Sequence, residues 1–181
     1  AAITASDLAK MIAAADGQGT RAIRDRAILA LGLAAALRRS ELVALEWRDV
    51  EMVDKGLKLT LRHSKTDQEG EGQVIAVPSG KTLKPVERLK VWLAVRGSGA
   101  GPLFYRIDPQ GRLTDRRMSD RSIARLIQKY AGLVGLDPES VGGHSLRAGF
   151  LTEASRTGAT IAKMQEVSRH KKVEVLLGYV R

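Results

Sequence analysis

Eleven consecutive positions, Ala27 to Leu37, read AILALGLAAAL and carry no polar side chain. Upstream, Ile23, Ala27, Leu31 and Ala34 recur at helical spacing, with Ile28 and Leu29 widening the stripe. The pattern predicts a helix from Thr20 to about Leu37 that is apolar on most sides and is therefore surrounded by other elements. The run is too short to span a bilayer and lies inside the chain, so it is neither a membrane span nor a signal peptide. A chain of 181 residues built around such a helix is expected to form one domain with a real core.

The flanking pattern is mostly helical. A first helix is expected over Ala1–Ala15, capped by Thr4 or Ser6, with Leu8, Met11 and Ile12 facing inward. After Leu37 comes Arg38-Arg39-Ser40-Glu41-Leu42, in which Ser40 can cap a short helix ending near Leu45. Glu51–Val53 and Leu57–Leu61 alternate about an Asp54-Lys55-Gly56 turn, and a third strand follows at Gln73–Val77. The connection before that third strand carries Lys65. Helices are expected again over Gly80–Val95 and from Ser119 or Asp120 to about Ala131. Gly97–Pro102 reads as an internal linker and Asp108–Gly111 as a turn. A helix over His144–Arg156 would be stopped by Gly158, and Thr160 would cap another to about Val167. Lys171–Gly178 would make a last turn or two before Tyr179. The fold class is thus mainly α with a small antiparallel three-stranded β-sheet.

Charge narrows the partner. Thirty Lys and Arg stand against twenty Asp and Glu, a net charge of +10, which draws polyanions. Aromatic residues make up only 4% of the chain, so contacts from Lys and Arg to backbone phosphates are expected rather than base stacking. The absence of cysteine removes disulfides, thiolate nucleophiles and cysteine-held zinc. On the helix ending near Ala131, Arg121, Arg125 and Lys129 share the face opposite Ile123, Leu126, Ile127 and Tyr130. That face suits a DNA groove or backbone, or plain solvent.

The C-terminal stretch holds the candidate chemistry. His144-Ser-Leu-Arg147 puts an imidazole and a guanidinium three residues apart, on one helical face. His170 and Tyr179 follow. Such a set reads as a site that holds a phosphate and attacks it; the alternative is a helical end with basic residues on its wet face. Arg38 sits at the exit of the buried helix, where an arginine is preorganised, and Glu41 could reach back to orient it.

In order, Arg38, Lys65, His144, Arg147, His170 and Tyr179 resemble the signature of the tyrosine recombinase (phage integrase) family. LRRSELVALEWRDV is similar to its first box, HSKTDQ to the hairpin that carries its lysine, GGHSLRAGFLTEA to its second box, and RHKKVEVLLGYVR to its last. The resemblance runs from Ala27 to Arg181 and implies a site-specific DNA recombinase or integrase catalytic domain. It implies Tyr179 as nucleophile, making a 3′-phosphotyrosyl intermediate, with Arg38, Arg147 and His170 on the phosphate. His144 would be the base, Lys65 the acid and Glu41 a support, with Arg39 joining Arg121, Arg125 and Lys129 on DNA. It implies no metal and no other cofactor, double-stranded DNA as partner, a homotetramer on DNA for the full-length protein, no membrane, and a cytoplasmic, nucleoid-associated location. Type IB topoisomerases share this chemistry and are the rival enzyme reading; a non-catalytic DNA-binding module is the other. Arg169 stands where the family usually has glycine. The family's N-terminal DNA-clamp domain is expected to be absent here, leaving residues 1–181 as one catalytic domain.

Overall fold

The computed structural model describes residues 3–62, 72–142 and 145–156. The apolar run becomes the centre of the fold, as the helix α2 (Thr20–Ala34). Residues 27–33 of α2 are all buried. Around it pack α1 (Ala5–Ala14), α4 (Pro85–Arg96) and α6 (Ser145–Arg156). A fifth long helix, α5 (Asp120–Leu133), closes over α1 and the short α3 (Arg39–Ala44). Thr4 caps α1 reciprocally: its hydroxyl accepts from Asp7 N at 3.0 Å, and Asp7 accepts from Thr4 N at 3.2 Å.

Helix ends differ from the sequence expectation: α1 begins at Ala5, after its Thr4 cap, rather than at Ala1. α2 stops at Ala34 rather than Leu37, because Ala36 takes a left-handed conformation (φ 52°). Ala36 N then donates to Leu33 O and Leu37 N to Gly32 O, which satisfies carbonyls the helix would leave open. Apolar content alone hides this stop, since glycine usually marks it. α4 begins at Pro85 rather than Gly80. Proline fits the first helical turn but restricts the residue before it, and Lys84 turns out of the helix with φ 50°.

The predicted sheet is present: β1 (Val50–Val53), β2 (Gly56–Leu61) and β3 (Gln73–Pro78) pair antiparallel in that order. Leu59 lies between Val50 and Ile75, and Leu57 opposite Val77. Leu57, Leu59, Leu61, Ile75 and Val77 are buried in the same core as α2. A second hairpin, β4 (Tyr105–Ile107) with β5 (Leu113–Arg117), was not expected. Only its turn was legible, because Leu113–Arg117 (LTDRR) lacks an apolar alternation. Asp108 organises that turn. The N–H groups of Arg112 and Gln110 donate to its carboxylate, Arg112 foremost, and hold its pKa below the usual carboxylate range.

Candidate DNA-cleavage site

Arg38 is the N-cap of α3, so α3 starts one residue after it and is not capped by Ser40. The backbone there is extended (φ −77°, ψ 157°), directly after the left-handed closure of α2. Glu41, buried on the first turn of α3, reaches back to it twice. Arg38 N donates to Glu41 Oε1 at 2.8 Å, and the guanidinium Nη1 lies 3.5 Å from Oε2. One carboxylate therefore fixes both the main chain and the charged head of Arg38. Arg39, one residue on, is half-buried.

Arg147 is carried by α6. It stands in the first turn of α6, just 3% exposed. Ser145 shapes the entry to that helix, with Gly142 N donating to its hydroxyl at 3.0 Å. Two glycines let α6 come close to its neighbours. A Cβ on Gly32 would lie 2.6 Å from Leu146 Cδ1 and 3.5 Å from Leu42 Cδ1. A Cβ on Gly149 would overlap the Ile3 carbonyl oxygen. Leu146 precedes Arg147 and Leu42 lies one turn beyond Arg38, so the two arginine-bearing elements meet over Gly32. The Nη1 atoms of both guanidiniums are shielded from solvent.

The base of the lysine hairpin adjoins the same elements. Glu41 and Ala44 share a crevice with Thr60, Leu61 and Arg62 at the end of β2. Arg62 Nε donates to the buried Asp49 at 2.6 Å, and Asp49 also accepts from Glu46 N at 2.9 Å. Lys65, His144, His170 and Tyr179 lie outside the described residues, as do the expected cap at Thr160 and the helices after it.

Arg121, Arg125 and Lys129 are exposed on α5, while Ile123, Leu126, Ile127 and Tyr130 are buried, in line with the predicted two-faced helix. Sequence reading missed what lies beside that basic face. Tyr130 was read as plain core, yet its hydroxyl donates to Asp25 Oδ2 at 2.6 Å, across 105 positions. Arg24 completes the buried cluster, with Nε 3.0 Å from Asp25 Oδ1. Adjacent opposite charges at Arg24-Asp25, just before the apolar run, were the available signal.

Comparison with known proteins follows this geometry. The phage integrase family model matches residues 1–181. The chain belongs to the phage integrase family. An integrase/recombinase xerD homolog of Selenomonas ruminantium is 36% identical over 167 residues, covering 91% of this chain and 49% of that protein. Tyrosine recombinase XerC of Thermodesulfovibrio yellowstonii is 30% identical over 177 residues, 93% of this chain and 53% of that protein. The chain thus spans about half the length of these curated relatives. In fold it is similar to XerA recombinase, with a TM-score of 0.76 and 21% identity over 99% of this chain and 60% of that one. XerH recombinase in a post-cleavage complex with its difH substrate gives a TM-score of 0.77 at 16% identity, over 98% of this chain and 48% of that one. Among the described residues no helix is long and apolar enough to cross a membrane.

Proposed function

We propose that this family member is the catalytic domain of a site-specific DNA recombinase, which cuts and rejoins duplex DNA through a covalent tyrosyl ester. The observation that carries this reading is the junction over Gly32, where the Glu41-held Arg38 and the buried Arg147 stand on adjoining elements. Two fixed guanidiniums suit the non-bridging oxygens of one phosphodiester, and most of all the charge that builds there in the pentacoordinate state.

The remaining roles follow from chemistry. A phenol ionises near pH 10 and attacks poorly unless the phosphorus is made more electrophilic. In this reading the Tyr179 oxygen attacks phosphorus, and its proton passes to His144. The bond from phosphorus to the 5′-oxygen breaks, with Lys65 protonating the departing oxygen. His170 adds a hydrogen bond to the phosphate. The ester keeps the bond energy, so a 5′-hydroxyl from a second strand reverses the step and seals a new junction. Arg121, Arg125, Lys129 and Arg39 would hold the duplex. Assembly of four full-length copies on DNA and residence on the nucleoid belong to the same proposal.

The test uses a pool of nicked duplexes with varied flanks, in which cleavage releases a short 5′-hydroxyl fragment. The chain is expected to yield a protein–DNA adduct that survives denaturing electrophoresis, and Tyr179→Phe none. Equal yield from that variant would remove Tyr179 from the mechanism. Intact binding with no adduct across the pool would leave a DNA-binding module, and relaxation of any plasmid without recombinants would favour a topoisomerase.

A further inference from the structure

A cleft of about 540 Å³ opens between the first turns of α2, strand β4 and α5. Among the described residues, six basic side chains line it against one carboxylate, Asp25. That carboxylate is already engaged, by Arg24 at 2.9 Å and by the Tyr130 hydroxyl at 2.6 Å. Arg24 is thereby neutralised, and the arginines left charged, Arg21 and Arg106, are nonetheless held in place. Arg21 Nη2 donates to Asp108 O at 2.7 Å and Arg106 Nε to Arg117 O at 3.0 Å. A neutral carbonyl acceptor fixes a guanidinium without cancelling its charge, so the cleft is both preorganised and strongly positive.

The cleft lies at the opposite end of α2 from Arg38. Arg21 and Ala34 are thirteen residues apart along that helix, roughly 20 Å at 1.5 Å per residue. Its α5 wall carries a cation every fourth residue, at Arg121, Arg125 and Lys129; that is about 6 Å of helical rise per step. Such a row matches a repeating anion better than a single oxyanion. We propose that this cleft is a second, non-catalytic anchor for the DNA backbone, in which Arg21 and Arg106 take phosphates of the strand that runs along the α5 row. The proposal rests on the reading of the chain as a DNA-acting domain and extends it to residues on α2 and β4.

Binding of the 181-residue chain to a fluorescent duplex, followed by anisotropy across a salt series, tests it. Arg21→Gln with Arg106→Gln is expected to lower affinity equally for unrelated sequences. It should also flatten the slope of log affinity against log salt by about 1.8, two contacts at about 0.9 each. Lys10→Gln with Lys90→Gln removes the same charge from exposed positions on α1 and α4 and should leave the slope unchanged. A full slope in the arginine pair, or an equal loss in the lysine pair, overturns the anchor. Should the arginine pair not fold, Arg106→Gln alone, at an exposed position, is expected to lose about 0.9, and no loss refutes the proposal. The covalent adduct of the unmodified chain reports separately on the chemistry. Adduct with an unaltered slope sinks the anchor alone; a flattened slope without adduct sinks the recombinase reading and leaves the anchor standing.

Discussion

Replacing Glu41 separates what α3 needs to fold from what Arg38 needs to act. Glu41→Ala removes the acceptor of Arg38 N, a 2.8 Å bond to a charged group, worth about 1.5–3 kcal/mol. It also removes the 3.5 Å ion pair to a guanidinium side chain that is 21% exposed, which adds up to about 1 kcal/mol after solvent screening. The expected destabilisation is about 2–4 kcal/mol, read as a lower urea midpoint at unchanged slope. Glu41→Gln keeps a carbonyl for Arg38 N but turns an amide toward the guanidinium, so about 1 kcal/mol is expected. Function discriminates further. A carboxylate that aims Arg38 acts through it, and an effect on the order of 10–100-fold, as for groups that orient metal ligands, is expected on its loss. In single-turnover adduct formation at saturating DNA, Glu41→Ala should be slowed by that factor and Glu41→Gln by less, with affinity for the duplex little altered. A Glu41→Ala protein that is destabilised yet forms adduct at the parental rate would make Glu41 an ordinary first-turn glutamate.

Two other perturbations probe the frame. Tyr130→Phe strips Asp25 of a buried charge-assisted donor and should cost about 2–3 kcal/mol in urea unfolding. Burial, then Asp25, raises the Tyr130 pKa well above its usual value near 10. The folded state therefore keeps a proton that the unfolded chain gives up, and this contribution, complete below pH 10, declines as pH rises above it. The phenylalanine variant should lack that alkaline loss; an identical decline above pH 10 in both proteins would refute the assignment. Gly149→Ala would push a Cβ into the Ile3 carbonyl, a backbone clash expected to destabilise by about 1–3 kcal/mol despite the gain in helix propensity. Gly32→Ala meets only the end of the Leu146 side chain and should cost less; a more stable Gly149→Ala protein would disprove the close crossing of α6.

Periodicity made the helices and the three-stranded sheet legible because their apolar residues serve one core. Leu8, Met11 and Ile12 on α1, and Ile123, Leu126, Ile127 and Tyr130 on α5, are all buried as their spacing requires. What spacing could not reveal is what happens where the chain leaves that core. Ala36 looks like more helix, yet it ends α2, because a left-handed residue leaves no mark in a run of alanines. Leu113–Arg117 forms a strand through backbone pairing with Tyr105–Ile107, not through any apolar face. Asp25 and Tyr130 meet only after folding. Of the candidate site, Arg38, Glu41 and Arg147 were picked out by type and order, and their mutual placement needed the Gly32 crossing.

That crossing explains how so apolar a helix can position charged side chains. A guanidinium on a loose loop surrenders rotamer freedom when it grips a phosphate, about 0.5–1.5 kcal/mol for each immobilised side chain. Here the freedom is given up at folding. The left-handed Ala36 sets where the chain leaves α2, Glu41 fixes the head of Arg38, and Leu146 on Gly32 fixes the base of Arg147. Core packing at one end of α2 thus holds two cations that water would otherwise disperse. At the other end, carbonyls of the β4–β5 hairpin hold Arg21 and, together with Asp25, Arg24. Held charge thus stands at both ends of one rigid, buried element, so bending or shortening that helix should disturb both clusters together. Changes confined to α4, on the exposed positions Lys90 and Val91, should disturb neither.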